Sequence, residues 1–191
     1  ERCGHALAEI DDALEGRAFL VRVDRIELSK NVGRGFEAYE LLLETRPEWR
    51  GRVVFGAYVY PPRQGVPAYR RYREQGEETV ARVNARFATD DYPRSVAALR
   101  RYDVLLVNPI RDGLNLVAKE GPLLNERDGV VLCSTEAGAW GELAGAALAV
   151  EPYDGAGTAA QLHVALSMGP GERAGHAPAG RARARAPTPA R

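Results

Sequence analysis

Residues 103–120 read Asp103-Val-Leu-Leu-Val-Asn108-Pro-Ile-Arg-Asp112-Gly113-Leu114-Asn115-Leu116-Val117-Ala-Lys-Glu120. The unbroken aliphatic run at 104–107 has no polar alternation, so it predicts a short strand covered on both faces. Asn108-Pro109 closes that strand and Asp112-Gly113 turns the chain. A helix is expected from Leu114 to about Asn125, with Gly121-Pro122 kinking or ending it. A helix that starts directly after a buried strand aims its first free amides, and the positive end of its dipole, at whatever lies above the turn. Gly113 lets a ligand's oxygens approach the backbone. Asp112 is placed either to accept hydrogen bonds from sugar hydroxyls or simply to cap the helix. Glu120 follows about two turns into the helix, where it can meet ribose hydroxyls.

The same alternation extends in both directions. Further strands are expected at 18–23, 52–60, 129–133 and around 147–150. Helices are expected at 5–15, 33–45, 67–87, 93–101, 139–143 and 158–168. Short apolar strands separated by helices predict an α/β fold, a parallel sheet with helices on both faces in the doubly wound manner. Such sheets hold ligands at the carboxyl ends of their strands. The loops to watch are therefore 24–33, 60–66, 108–114 and 134–139. In the first, Arg25 and Lys30 are placed either to converge on a phosphate or to stand as solvated charges. Ser29 and Asn31 are candidate caps for the next helix. In the second, Arg63 sits in the stiff Pro61-Pro62-Arg63-Gln64-Gly65 loop, either facing an anionic co-substrate or solvated.

Composition narrows the choices. Apolar residues make up 45% and charged residues 27%, the balance of a globular domain, over 191 residues. No run of about 18 apolar residues occurs, so no membrane span is expected, nor is a signal segment. Cys3 and Cys133 offer no disulfide framework, and with three His they show no metal-ligand spacing; a reducing, cytoplasmic setting follows. Charge is balanced at 26 basic against 26 acidic residues, so nucleic acid is a poor partner. The segment 169–191 holds five Arg and one acid with almost no large apolar side chain. It is expected to be a disordered Ala/Arg/Pro-rich tail after a domain spanning 1–168. Only two of the basic residues are lysine, Lys30 and Lys119.

Several of these segments together resemble a known family. They are Val23-Asp-Arg-Ile-Glu-Leu-Ser-Lys30, Pro61-Pro-Arg63 with Tyr69, Arg111-Asp-Gly-Leu-Asn-Leu-Val-Ala-Lys-Glu120, Ser134 to Leu143, and Glu151-Pro-Tyr-Asp154. In order and wording they look like the carboxyl-terminal half of the trehalose-6-phosphate synthases, family 20 retaining glycosyltransferases. The resemblance implies the carboxyl-terminal, Rossmann-like domain of a GT-B glycosyltransferase fold, which binds the nucleotide-sugar donor. It implies transfer of glucose from UDP-glucose, or another NDP-glucose, to glucose 6-phosphate in trehalose biosynthesis. No metal and no cofactor take part in that reaction. It assigns Arg25 and Lys30 to the donor phosphates and Asp112 to the glucose hydroxyls. The amides of Gly113, Leu114, Asn115, Leu116 and Val117 become a diphosphate cradle, Glu120 a ribose ligand, and Arg63 an acceptor contact.

Departures from the family accompany the match. The amino-terminal domain that would carry the acceptor loop and the catalytic histidine is not in this sequence, so the isolated chain is expected to be inactive. The exposed face it leaves would favour self-association or a partner domain. The stretch between Asn84-Ala-Arg-Phe87 and Tyr92-Pro-Arg94 is about a dozen residues shorter than the family norm, which costs a strand and part of the base-binding wall. Asn31 stands where the synthases usually have Gly. Two rivals share the fold: a non-catalytic interaction module, and a pseudo-glycosyltransferase that joins cyclitols.

Overall fold

The apolar runs become five strands: β1 (Ala18–Arg25), β2 (Val53–Tyr60), β3 (Val104–Val107), β4 (Val130–Ser134) and β5 (Leu148–Val150). They come from a computed structural model that describes residues 2–60, 67–87 and 95–185. Among the described residues eight α-helices surround them: α1 (Arg2–Leu14), α2 (Val32–Thr45), α3 (Pro67–Phe87), α4 (Ser95–Arg101), α5 (Leu116–Leu124), α6 (Trp140–Leu143), α7 (Gly155–Ser167) and α8 (Pro170–Arg185). The strands form one sheet in the order β2-β1-β3-β4-β5, and every neighbouring pair is parallel.

Each face of the sheet buries its own apolar cluster. Ile10 and Leu14 of α1 and Ala97 and Ala98 of α4 pack with Phe19, Val21, Leu105 and Val107 on one face. Ala38 and Leu42 of α2 and Leu162 and Leu166 of α7 pack with Leu20, Leu106 and Leu132 on the other. This is the two-sided covering that the unbroken aliphatic runs predict.

The order of the strands positions the site. From β1 the chain moves outward to β2, then returns to place β3 on the other side of β1. The connections after β1 and β3 therefore leave in opposite directions, opening a crevice beyond the carboxyl ends of these two strands. Among the described residues no strand pairs with the outer edge of β2. A cavity of about 580 Å³ runs along that edge between β2, α2 and α3, and it excludes Lys30 and Asp112.

Several expectations are corrected. The first strand continues past Val23 to Arg25, paired with β2 along its whole length. The last helix of the body begins at Gly155, three residues early, because the Asp154 carboxylate accepts the Gly157 amide at 2.8 Å and caps it. Helix α5 passes through Pro122 and stops two residues later at Leu124. The tail is the largest difference within the described residues: 170–185 form α8, while the rest of the expected tail, 186–191, lies outside them. Arg173 pairs with Asp103 at 2.7 Å and Arg181 with Asp128 at 3.1 Å, while Ala177 and Ala184 are buried. These acidic partners lie about 50–70 residues upstream, so a reading of the tail's own composition does not reveal them. Among the described residues no helix is long and apolar enough to cross a membrane.

Candidate functional site

The crevice is built by three loops pressed together. After β1 the Ile26 amide donates to the Tyr60 carbonyl at 2.8 Å, and a short 3₁₀ turn at Leu28–Lys30 follows. Asn31 then takes a left-handed backbone, φ 58°, before α2 begins. That conformation suits Gly best and Asn next, so Asn31 takes it at little cost. Asn31 forms no helix cap through its side chain. Its buried amide donates to the Asn108 carbonyl at 3.0 Å and the Pro152 carbonyl at 2.7 Å, tying together the loops after β1, β3 and β5. Ser29 contributes its carbonyl, which accepts the Ile110 amide at 2.8 Å.

The loop after β3 is set by Asn115 and two glycines. Asn115, also left-handed at φ 45°, accepts the Ala118 amide at 3.2 Å and so starts α5. Gly138, in the loop after β4, lies so close to the Gly113 carbonyl that a Cβ there would sit 1.2 Å from it. The Gly138 amide donates to the Asp112 carbonyl at 3.0 Å.

Within this frame three donors meet on one carboxylate. Asp112 accepts from the Lys30 ammonium, from the Gly113 amide at 2.9 Å and from the Asn115 amide at 2.8 Å. A cation, a free backbone N–H and a neutral amide gathered at the start of a helix form an anion-binding arrangement. Asp112 itself fills it. Arg25, the last residue of β1, is held by Glu27 at 3.3 Å and keeps 36% of its side chain exposed. Its position along the strand matches Phe19, Val21 and Val23, which face the same side as α5. Leu114 and Leu116 are exposed at the lip, Val117 is half-buried, and Glu120 is exposed on α5. Lys119, the other lysine, pairs with Glu142 at 2.7 Å. Arg63 lies outside the described residues.

The composition gave no hint of what lies beneath. Arg22 is fully buried inside β1 and bonds Asp24 through Nη2 at 2.7 Å and Nε at 3.2 Å. Burial raises the Asp24 carboxyl above its usual range, Arg22 and Lys30 pull against that rise, and Asp112 adds to it. The signal was in the sequence: an arginine inside an otherwise apolar strand, two residues before an aspartate on the same face, has to be a buried pair. Asn108 also lies buried here, and among the described residues its Oδ1 has no hydrogen-bond partner. Elsewhere His163 accepts from the Trp49 indole at 3.0 Å, a packing role. Burial pushes the Cys133 thiol up to about 12, which leaves it inert. Among the described residues no group of three or more potential metal ligands occurs.

A five-stranded parallel sheet of this order, with a charged crevice at its switch point, defines an α/β domain of the Rossmann-like kind. The chain belongs to glycosyltransferase family 20, whose model matches residues 2–179. It is 40% identical to a bifunctional trehalose-6-phosphate synthase/phosphatase of Thermoproteus tenax, over 83% of this chain and 23% of that protein. It is 39% identical to a trehalose-6-phosphate synthase of Sodalis glossinidius, over 87% of this chain and 38% of that one. Among solved structures, an α,α-trehalose-phosphate synthase (UDP-forming) from Burkholderia xenovorans in complex with glucose-6-phosphate matches with a TM-score of 0.88 at 35% identity, covering 95% of this chain and 43% of that one. The E. coli protein bound with UDP-2-fluoro glucose matches with a TM-score of 0.85 at 33% identity, covering 93% and 42%. The fold is the Rossmann-like α/β fold of GT-B glycosyltransferases. The chain spans less than two fifths of the length of these curated relatives.

Proposed function

We propose that this chain is the donor-binding half of a retaining glycosyltransferase of the trehalose-6-phosphate synthase type. It holds UDP-glucose, or another NDP-glucose, for transfer of glucose to glucose 6-phosphate. The observation that carries the reading is the convergence of Lys30, the Gly113 amide and Asn115 on one anionic position at the switch point. Breaking a glycosyl–phosphate bond leaves charge on the departing diphosphate. Fixed donors aimed at that charge lower the barrier. Lys30 and Arg25 supply the positive charge, so the reaction takes neither a metal nor a cofactor. The free amides from Leu114 to Val117 line the diphosphate beside Gly113. Asp112 turns from Lys30 to the glucose hydroxyls, Glu120 meets the ribose, and Arg63 faces the acceptor. The work belongs in the cytoplasm, and an acceptor domain or partner completes the cleft.

Titration calorimetry of the purified chain with UDP tests this reading. UDP binds, and Lys30→Ala weakens it about tenfold or more, the loss expected of one charge-assisted contact. Mixed with UDP-glucose and glucose 6-phosphate, the chain alone releases no trehalose 6-phosphate. Absence of UDP binding, or an unchanged affinity in Lys30→Ala, removes the site; brisk turnover by the chain alone removes the assignment of a half.

A further inference from the structure

Arg22 touches none of the groups assigned to substrate, yet its guanidinium is the most completely enclosed charge described near the crevice. Beyond its two bonds to Asp24, its Nη2 donates to the Lys30 carbonyl at 3.0 Å and its Nη1 to the Val32 carbonyl at 3.3 Å. Those two carbonyls flank Asn31. The guanidinium thus spans the turn from below and fixes to β1 the backbone that carries the Lys30 side chain. Space for it comes from α2: a Cβ on Gly35 would stand 2.1 Å from Arg22 Nη1.

We infer that Arg22 is a positioning residue for the anion site, acting through Lys30, and that Gly35 is its seat. The inference rests on the function proposed above. Two effects combine. The planar fork holds the turn in place, which a lysine at this position would not do. The fork also satisfies Asp24, and the other cation acting on that buried carboxylate is Lys30. Without Arg22 the turn that carries Lys30 loses its anchor to β1, and Asp24 is left buried without its fork.

The test uses the whole chain, UDP as probe, calorimetry for affinity and circular dichroism for melting. Arg22→Met alone leaves Asp24 buried without its fork and endangers the fold. The informative variants are therefore R22M/D24N, which removes both charges together, and Gly35→Ala, which keeps every charge and displaces the guanidinium. Both are expected to bind UDP at least about tenfold more weakly than the parent, as loss of a supporting contact does in other polar sites. Adding Lys30→Ala to either costs little more, because the lysine is already out of place. A merely structural Arg22 predicts the opposite: UDP affinity within about twofold of the parent in both variants, and the full Lys30→Ala penalty on each background. That outcome, with the parent still binding UDP, overturns the inference alone. A parent chain that does not bind UDP overturns the proposed function and the inference together.

Discussion

At the scale of single residues, Asn31 shows how one side chain joins three loops. Replacing it separates its two contributions. Asn31→Gly keeps the left-handed backbone at ease but leaves the Asn108 and Pro152 carbonyls without their donor, at a cost of about 1–2 kcal/mol. Asn31→Ala loses the same bonds and adds roughly 1 kcal/mol for a Cβ in the left-handed region. Urea denaturation of the two variants checks the ranking; equal midpoints would mean that φ 58° carries no strain. Lys30, Asp112 and the turn at Gly113 were legible in the sequence, because a strand, a turn and a helix start follow one another within twenty residues. Apolar period alone marks β1 as a strand and says nothing of Arg22 and Asp24, which interrupt it. Sequence position suggests Asn31 as a cap for α2, a local role, whereas its side-chain amide donates to carbonyls about 80 and 120 residues away.

Among the elements, the strands and most helices followed from apolar period and turn residues, since both are local properties. Helix α8 did not. Its sequence is rich in Ala and Arg, and its stability comes from α5, α6 and distant carboxylates. Arg173 is the principal tie: it meets Asp103 at 2.7 Å and also the Met168 and Leu166 carbonyls at 3.2 and 3.4 Å. Asp103 in turn accepts the Phe19 amide at 2.8 Å, so the pair links α8 to β1. With side chains about 15% exposed, the pair lies between surface and interior. Arg173→Met is expected to cost about 1–2 kcal/mol and to speed amide exchange in 170–185 ahead of the rest. Exchange in α8 that stays as slow as in α5 would show that its hold lies elsewhere.

Across the whole molecule, burial sets the response to alkali. It pushes Cys133 from 9.0 and Tyr39 from 10.0 up to about 12 each, and raises Tyr102 further. A folded state that holds a proton more tightly than the unfolded chain loses stability as pH rises through the interval between the two values. All three groups therefore weaken the fold between pH 9 and 12, the same direction each time. The urea midpoint is expected to fall steadily above pH 9, and Tyr39→Phe to reduce the slope above pH 10; a midpoint constant from pH 8 to 11 would contradict the burial of these groups. The fold class, the crevice and its lysine are within reach of the sequence, as is the Arg22–Asp24 pair two residues apart, while pairs such as Arg173 with Asp103 and Arg181 with Asp128 depend on three-dimensional proximity.

The bond between Lys30 and Asp112 has one more consequence, for the order of events. At rest the crevice is its own counter-ion: under the proposed function, the group assigned to sugar is locked to the group assigned to phosphate. A neutral monosaccharide carries nothing that can prise them apart. A diphosphate does, and in claiming the lysine it releases the aspartate for the hexose attached to it. Glucose offered alone should leave the protein's heat trace flat, while UDP should bind unaided. Saturable glucose binding without nucleotide would mean that the latch is not closed in solution.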